Sequence, residues 1–405
     1  MKNVLFVHYG EDWIRGSEIV LLDMLTSSIN LGRKPILWCN SKVLAQEATK
    51  IGAKVILDRF VNIGYWTLPR WDFFQYFKIL LKTKKIIKAH DIDLVHCNNG
   101  APCQWLSLVC KLMGVPLLLH LHARYQQRDR VILLFHFADR VIGVSKAVLT
   151  IFNDYEFEPK ILSVVHNGIS EKRVESKVLI NIREMINAKE DDFVILYIGS
   201  LIKRKGIDTL IASLNRLGTM RSVKLAIFGS GEELSNLLQL IEQLKLGDVV
   251  SIFSEVSDVG SLYSSNADCF ISVPLEEVFG LTLAEASLSG LPIISTTVPG
   301  VNEIYTHEQN ALLVPAGNCD ELAIAISRLI ETPNFAKQLA ISGKEHISNN
   351  YSLINQSAEV EQQYHMLFAS RQKSFFSCFV ATFFIFVKSC SEKLNNLLKR
   401  KVRYD

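Results

Sequence analysis

The sequence predicts an α/β protein built from two doubly wound parallel sheets, and three observations lead to that prediction. The chain has 405 residues, which is too long for one ordinary hydrophobic core, so two domains are expected. Short runs of β-branched and aliphatic residues alternate with amphipathic stretches along most of its length. These runs are apolar throughout, which is typical of parallel strands that helices cover on both faces.

The predicted strands fall into two series. The first series covers 3–9, 35–40, 53–58, 93–98, 116–122, 140–145 and 162–168. The second covers 193–200, 223–230, 249–253, 268–274, 291–297 and 311–315. Helices are predicted over 16–32 and 231–247, and the charged stretch 171–192 between the two series is predicted to carry one more.

The restart of this pattern sets the predicted domain boundaries. We predict a first Rossmann-like domain over 1–172, a second over 173–350, a crossover helix over 351–370 and a separate tail over 371–405. Ligands of open parallel sheets bind beyond the carboxyl ends of the strands. We therefore expect a functional site in a cleft between the two domains.

Composition excludes several classes of protein. Apolar residues make up 49% and charged residues 21%, as in folded proteins. A net charge of only +3 argues against general nucleic-acid binding. The eight cysteines form no CxxC motif and have no metal-ligand spacing, which indicates buried thiols in a reducing compartment and no metal site. The first apolar run is far too short for a signal peptide.

Two stretches have a composition suited to a membrane surface. Residues 374–387 are fourteen uncharged, mostly apolar residues between basic flanks. Since a spanning helix needs about 20 apolar residues, they predict an in-plane or re-entrant anchor, with a core helix as the alternative. The stretch 65–88, YWTLPRWDFFQYFKILLKTKKIIK, is basic and aromatic. It fits the same surface, or an ordinary amphipathic helix with a solvated lysine face.

The stretch EEVFGLTLAEASLSG (276–290) places two acids around a glycine. Glu277 follows a predicted strand, Gly280 occupies the turn, and Glu285 falls in the first turns of a helix that begins near Leu281. The free amides of such a helix N-terminus favour phosphate, and carboxylates accept hydrogen bonds from hydroxyls. The alternative is that both acids are solvated helix-end residues.

A second stretch, YIGSLIKRKGIDTL (197–210), puts Lys203, Arg204 and Lys205 in the loop after a strand. These cations suit a diphosphate, although a basic surface loop explains them as well. The glycine turn FGSGEEL (228–234) lacks the third glycine of GxGxxG, so it is a weak dinucleotide signal.

The first half offers a glycine-bearing loop at 8–18 and two histidines at a strand end. Strand alternation puts His120 and His122 on the same face, with His122 nearer the end of the strand. A structural role is the alternative for both.

Together these residues resemble the retaining glycosyltransferases of family 4, which have two Rossmann-like domains (the GT-B fold). Residues 276–304 resemble the family's E-x7-E signature, with Glu277 and Glu285 as its acids. The other matching stretches follow in order over roughly residues 1–370. They are RGSE (15–18), LVHCN (94–98), VPLLLHLH (115–122), ADRVIGVSKAV (138–148), HNGI (166–169), GSLIKRKGIDTL (199–210), FGSGEEL (228–234), ADCFISVP (267–274) and NALLVPAGN (310–318).

The resemblance implies a role for each site residue. Lys205 would bind the donor diphosphate, Glu285 the ribose hydroxyls, and Glu277 the sugar hydroxyls near the anomeric carbon. His122 would line the sugar site, which makes His122, Glu277 and Lys205 the implied catalytic residues. The remaining implied donor contacts are Gly16 in the first loop and the backbone of Phe279, Gly280, Leu281 and Thr282.

Three positions depart from the family pattern. Ser200 stands where an arginine is common, and Lys203 or Arg204 is a candidate substitute by analogy. Arg15 replaces the first glycine of the usual pair, and Ser254 replaces a glycine after the strand at 249–253.

The implied reaction moves a sugar from a nucleotide-diphosphate sugar to an acceptor hydroxyl with retention, without a further cofactor or metal. The implied acceptor is a glycan or glycolipid of polysaccharide or lipopolysaccharide synthesis. The expected location is cytoplasmic, peripheral on the inner face of the membrane. The alternatives are a non-hydrolysing nucleotide-sugar epimerase and a Rossmann-type nucleotide-binding protein or oxidoreductase.

Overall fold

The computed structural model describes residues 3–64, 71–152, 161–176, 178, 180–217 and 222–369. The predicted tail anchor at 374–387 lies outside these residues, as does the segment 65–70 of the basic aromatic stretch. The chain divides into two compact units. The second unit comprises Asn167–Gln356, and the first comprises the chain before it together with the chain from Ser357 onward.

The first unit contains a parallel sheet of seven strands in the order β3-β2-β1-β4-β5-β6-β7. Its strands are β1 (Val4–His8), β2 (Ile36–Cys39), β3 (Lys54–Leu57), β4 (Leu94–Asn98), β5 (Leu117–Leu121), β6 (Arg140–Gly143) and β7 (Leu162–Val164). The register pairs Phe6 of β1 with Leu37 on one side and His96 on the other.

The second unit contains a parallel sheet of six strands in the order β10-β9-β8-β11-β12-β13. Its strands are β8 (Phe193–Ile198), β9 (Val223–Phe228), β10 (Val250–Phe253), β11 (Cys269–Ile271), β12 (Ile293–Thr296) and β13 (Leu312–Val314). Both sheets therefore have the doubly wound arrangement that the sequence predicts.

Helices connect the strands in both units. Those before β8 are α1 (Gly16–Asn30), α2 (Lys42–Lys50), α3 (Phe73–Ala89), α4 (Cys103–Met113), α5 (Gln127–Ile132), α6 (Lys146–Leu149), α7 (Glu171–Val174) and α8 (Ile182–Met185). Those after β8 are α9 (Ile207–Leu214), α10 (Leu234–Gln243), α11 (Val259–Tyr263), α12 (Leu281–Ser289), α13 (Pro299–Asn302), α14 (Cys319–Glu331), α15 (Pro333–Asn350) and α16 (Leu353–Ala369). Short 3₁₀ turns lie at Phe135–Phe137, Thr150–Phe152 and Lys203–Lys205.

The charged stretch 171–192 corrects one prediction. It carries two short helices, α7 and α8, in place of the single helix expected. Each of these helices has only four residues, about one turn, which is too short to leave a helical periodicity in the sequence.

The strands are buried because both sheets are covered. Every residue of β1, β4 and β5 is buried, as is every residue of β8. Of the described cysteines, which are all free thiols, five are buried, as predicted, whereas Cys319 is partly exposed. Among the described helices, none combines the length and the apolar character that crossing a bilayer requires.

Candidate active site

In the second unit, the predicted site residues meet where the order of the sheet reverses, between β8 and β11. Such a topological switch point is where open α/β sheets bind ligands. The loop after β8 carries Lys205, and the chain after β11 carries Glu277. The Lys205 Nζ lies 2.5 Å from the Glu277 Oε2, so two residues 72 positions apart form one ion pair.

Gly206, the residue after Lys205, allows the contact between Lys205 and Glu277. Gly206 has a φ of 65° and ends the 3₁₀ turn Lys203–Lys205. A Cβ at this position would lie 2.2 Å from the carbonyl oxygen of Val273. Only glycine therefore lets the loop after β8 pack against the chain leaving β11, and this packing brings Lys205 to Glu277.

The Lys205–Glu277 pair is largely buried. The Glu277 side chain also accepts a hydrogen bond from the backbone N–H of Val278 at 3.0 Å. Burial by itself favours the protonated acid, but the adjacent Lys205 ammonium and the two hydrogen bonds outweigh it. They hold the pKa of Glu277 below its ordinary value. The pair is therefore ionic at neutral pH.

Helix α12 begins beside this pair. Its N-cap residue, Gly280, has a φ of 89° and provides no capping side chain. A Cβ on Gly280 would lie 3.6 Å from the Glu277 Cγ. Leu281 and Thr282 form the start of the helix, as predicted, and a helix N-terminus carries partial positive charge. Glu277 thus adjoins both a lysine and a helix N-terminus.

Glu285 lies in the second turn of α12 and is buried. Its Oε2 accepts a hydrogen bond from the Tyr263 hydroxyl at 2.9 Å, and its Oε1 lies 2.5 Å from an Nη2 of Arg173. Burial raises the pKa of Glu285, while Arg173 and Tyr263 oppose that rise. The Tyr263 hydroxyl is also 3.4 Å from the carbonyl oxygen of Thr282, which links Glu285 to the start of the helix.

The sequence did not single out Arg173 or Tyr263. Arg173 comes from the charged stretch at 171–192, where nothing distinguishes it from its neighbours, and Tyr263 ends the short helix α11. The side chain of Phe279, for which a backbone contact is implied, is buried, with its ring 6.0 Å from that of Tyr351.

Ser200 and the two cations suggested as substitutes for the usual arginine make contacts within this unit. The Ser200 carbonyl accepts a hydrogen bond from the Tyr197 hydroxyl at 3.2 Å. Lys203 pairs with Asp208 at 2.5 Å, and an Nη1 of Arg204 lies 3.4 Å from the Glu276 carbonyl oxygen. Lys203 is therefore engaged elsewhere, whereas Arg204 lies close enough to Glu277 for its charge to help lower the pKa of that carboxyl.

The glycine turn after β9 has a packing role. A Cβ on Gly229 would lie 1.9 Å from the carbonyl oxygen of Gly199, and one on Gly231 would lie 2.2 Å from that of Leu201. These glycines let the loop after β9 pack directly on the loop after β8. The motif FGSGEEL is thus explained without a dinucleotide.

In the first unit, the switch point lies between β1 and β4, and polar side chains converge there. His8 ends β1, Asn98 ends β4, and His122 follows β5. The Asn98 Nδ2 is 3.0 Å from the His8 Nδ1, and the Asn98 Oδ1 is 2.8 Å from the His122 Nε2. Glu18 of α1 adds a fourth member, 2.9 Å from the His8 Nε2. We call Glu18, His8, Asn98 and His122 the histidine chain.

Hydrogen bonds connect the members of the histidine chain. Burial opposes ionisation of Glu18, but the hydrogen bond to His8 prevails and the pKa of Glu18 is lowered. The Glu18 carboxylate accepts a hydrogen bond from the His8 Nε2–H, and the backbone carbonyl oxygen of Asn98 lies 2.9 Å from the His8 Nδ1. The Asn98 side-chain amide donates to the Ser17 carbonyl oxygen at 3.4 Å. The Asn98 Oδ1 accepts from the His122 Nε2–H.

His122 is therefore a neutral imidazole whose Nδ1 is a hydrogen-bond acceptor. Burial and the nearby His8 lower the pKa of His122 to about 3. The sequence indicated His122 but not Asn98 or His8, because hydrogen bonding between different strand ends leaves no local signal.

The other members of this region are structural. The ring of His120 is 4.1 Å from that of His122, which agrees with the predicted shared face, and His120 is fully buried. His96 bridges His120 and the Tyr364 hydroxyl, at 3.2 Å and 2.7 Å.

Gly16 and Arg15 lie at the start of α1. Gly16 is the first residue of that helix, and the Arg15 guanidinium stacks over the ring of Trp13 at 3.9 Å. In the part of the chain that the structure describes, no cluster of three or more histidine, cysteine or acidic side chains is arranged to hold a metal ion.

Comparison with known proteins matches both units. The family model described as Glycosyltransferase Family 4 matches residues 14–173, and the model described as Glycosyl transferases group 1 matches residues 180–346. An uncharacterized glycosyltransferase of Methanocaldococcus jannaschii is 31% identical over 235 residues, which cover 56% of this chain and 59% of that protein. An O-antigen biosynthesis glycosyltransferase of Escherichia coli is 27% identical over 237 residues, which cover 57% of this chain and 63% of that protein. Each alignment thus spans less than two thirds of the relative.

A solved structure shares the fold. The Anabaena protein HepE, determined in complex with UDP-glucose, superposes with a TM-score of 0.76 at 21% identity. The match covers 90% of this chain and all of that one. Since the two family models together match most of the chain, this protein belongs to the family 4 glycosyltransferases, and its two doubly wound units have the GT-B fold.

Proposed function

We propose that this protein transfers a sugar from a nucleotide-diphosphate sugar to an acceptor hydroxyl, with retention of the anomeric configuration. The observation that carries the proposal is the Lys205–Glu277 pair beside the N-terminus of α12, at the switch point of the second sheet. Lys205 has three N–H donors, of which Glu277 takes one. The others and the helix amides suit a diphosphate.

Glu277 and Glu285 bind different parts of the donor. Glu277, adjacent to Gly280, accepts hydrogen bonds from the donor sugar. Glu285 binds the ribose hydroxyls, and Arg173 and Tyr263 orient its carboxylate. In the first unit, the neutral His122 accepts a hydrogen bond from a sugar hydroxyl through its Nδ1.

In the transfer step, the bond between the anomeric carbon and the diphosphate oxygen breaks, and its electron pair leaves with the diphosphate. The acceptor oxygen attacks the same face, and its proton passes to the departing phosphate. Lys205 and the α12 amides stabilise the charge on the leaving group, an effect typically of about 3 kcal/mol per donor. No metal or further cofactor is required in this scheme.

We further propose that the acceptor is a glycan or glycolipid of polysaccharide or lipopolysaccharide synthesis, as the E. coli O-antigen relative suggests. The protein would then work in the cytoplasm, peripherally on the inner face of the membrane. Family membership favours transfer over the epimerase and oxidoreductase alternatives.

A panel of nucleotide-sugars tested for protection against thermal unfolding examines the donor site. A ligand at 100 times its Kd stabilises the native state by about 2.7 kcal/mol, and we expect at least one UDP-, GDP- or ADP-sugar to do so. The isosteric Glu285→Gln should remove most of that protection, whereas the exposed Glu331→Gln should not. Protection by NAD in place of any nucleotide-sugar would overturn the proposal.

The retained configuration has its own test. After turnover with the best donor, the anomeric configuration of the glycoside is read by NMR. Inversion, or conversion of the donor to an epimer without an acceptor, would contradict the proposed reaction.

A further inference from the structure

Helix α3 of the first unit exposes an apolar surface that nothing in the described chain covers. Trp71, just before the helix, and four side chains along it are each between 53% and 68% exposed. The four are Phe73, Phe74, Phe77 and Leu81. The opposite side of the helix is buried at Ile79, Thr83, Ile86 and Ile87. A soluble helix ordinarily turns its aromatic residues inward, so this surface requires an explanation.

The same exposed side carries a row of lysines. At 100° per residue, the apolar residues and the lysines fall within one arc of about 180°, with the apolar residues toward the start of the helix. The lysines are Lys78, Lys82, Lys84, Lys85 and Lys88, and 73–89 contains no acidic residue. Lys82 pairs with Asp58 at 2.5 Å, while the Lys78 ammonium stacks over the Phe74 ring at 4.2 Å. We call this surface, together with Trp71, the aromatic–lysine face.

We propose that the aromatic–lysine face docks on an anionic phospholipid bilayer, with α3 lying in the plane of the interface. Helices that lie in a bilayer interface insert Trp, Phe and Leu side chains, and lysines near the surface are attracted to anionic headgroups. A protein partner fits less well, because lysine is depleted in protein–protein interfaces. The helix has 17 residues, or about 25 Å, and lies along the surface without needing to span it.

The position of the apolar end links this surface to the candidate site. The Tyr76 hydroxyl contacts the Gln104 carbonyl oxygen at 3.2 Å, and Gln104 lies in the first turn of α4. Helix α4 follows β4, whose carboxyl end carries Asn98 of the histidine chain. The aromatic residues thus lie near the carboxyl ends of the strands, where the histidine chain holds His122. Membrane docking rests on the proposed function and deepens it, because a bilayer there would present a lipid-linked acceptor to this end of the sheet.

Vesicle binding tests the proposal without an activity assay, so its outcome is independent of the glycosyl transfer. Full-length protein is sedimented with vesicles of phosphatidylcholine containing anionic phosphatidylglycerol. Phe73→Ser with Phe77→Ser should weaken binding at least about tenfold. Lys84→Gln with Lys85→Gln should weaken it about fivefold per lysine at low salt and flatten its salt dependence.

Matched variants control for the change in composition. Leu112→Ser removes an exposed apolar side chain of α4 in the same unit, and Lys34→Gln with Lys54→Gln removes two exposed lysines outside α3. These should leave binding unchanged. Equal loss in the control variants, or equal binding to vesicles without anionic lipid, would overturn the proposal.

A second readout isolates α3 from every other membrane contact of the full chain. Brominated lipid quenches tryptophan that enters the bilayer, and Trp71→Phe should remove most of the quenchable fluorescence. Quenching that is unchanged in Trp71→Phe would show that this end of α3 stays outside the bilayer and would overturn the proposal. Circular dichroism and the thermal midpoint of each variant confirm that it is folded.

Discussion

The two units place the same topological feature in very different electrostatic settings. The switch point of the second sheet holds full charges, Lys205 with Glu277 and, nearby, Arg173 with Glu285. The switch point of the first sheet holds one buried carboxylate, Glu18, which is hydrogen-bonded to His8, and beyond this pair the uncharged side chains of Asn98 and His122. A fold therefore supplies a place for a ligand, and the side chains at the strand ends decide which chemistry occurs there.

The difference fits the two parts of the proposed transfer from a nucleotide-diphosphate sugar. Charge develops on the leaving diphosphate, which suits a lysine and a helix N-terminus. Sugar and acceptor hydroxyls stay neutral until late, which suits a neutral imidazole held in one tautomer.

Replacing Lys205 should have the largest effect. Lys205→Ala removes the cation from the leaving group and leaves Glu277 buried without its partner, so kcat/KM should fall by about 100- to 1,000-fold. Steady-state kinetics with the best nucleotide-sugar measure this. Lys203→Ala is the matched control in the same loop, since Lys203 is exposed and paired with Asp208; we expect a change of no more than about twofold. Equal losses in the two variants would contradict the special role of Lys205.

Breaking the histidine chain should have an intermediate effect. Asn98→Ala removes the acceptor that holds the His122 Nε2–H, so kcat should fall about tenfold or more, while donor affinity changes little. Nitrogen NMR of the histidine ring should show a defined Nε2–H tautomer in the wild type and a mixture in Asn98→Ala. Asn98→Asp should restore the tautomer and raise the pKa of His122, which moves the acid limb of the kcat profile to higher pH. An unchanged tautomer in Asn98→Ala would contradict the proposed positioning.

The smallest effect concerns stability in mild acid. Burial lowers the pKa of His96 and His122 to about 3, while unfolded histidine has a pKa of about 6.5. Below about pH 6.5 the unfolded chain therefore binds more protons than the folded chain. As the pH is lowered further, the free energy of unfolding should decrease by about 1.4 kcal/mol per pH unit for each buried histidine. Glu18, whose pKa is lowered from 4.5, adds its own loss of stability only below that value.

Tryptophan fluorescence during urea unfolding measures this in the first unit alone. All five tryptophans belong to that unit, at positions 13, 38, 66, 71 and 105. Between about pH 6.5 and 4.5, His122→Asn should reduce the slope by about one proton. A slope that does not change would show that His122 is not held neutral by the fold.

The fold was largely predictable from the sequence, for a physical reason. Parallel strands buried on both faces must be apolar throughout, so each of the thirteen strands left a local signal. The prediction of a single helix at 171–192 was wrong because helices of four residues are too short to leave a periodic pattern of apolar residues. The sequence singled out Glu277, Gly280 and Lys205 because each lies in a strand-to-helix loop with its own composition, and Glu285 because it follows Glu277 by eight positions in the adjoining helix.

The amino-acid sequence specifies the two sheets, the positions of the strand ends and therefore which loops carry polar residues. Which of those residues meet depends on the tertiary structure. Lys205 pairs with Glu277, Arg173 with Glu285, and Asn98 joins His8 to His122. These partners are separated by 24 to more than 100 positions in the chain, and only the order of the strands brings them within hydrogen-bonding distance. Local composition records burial, whereas pairing across a sheet depends on topology.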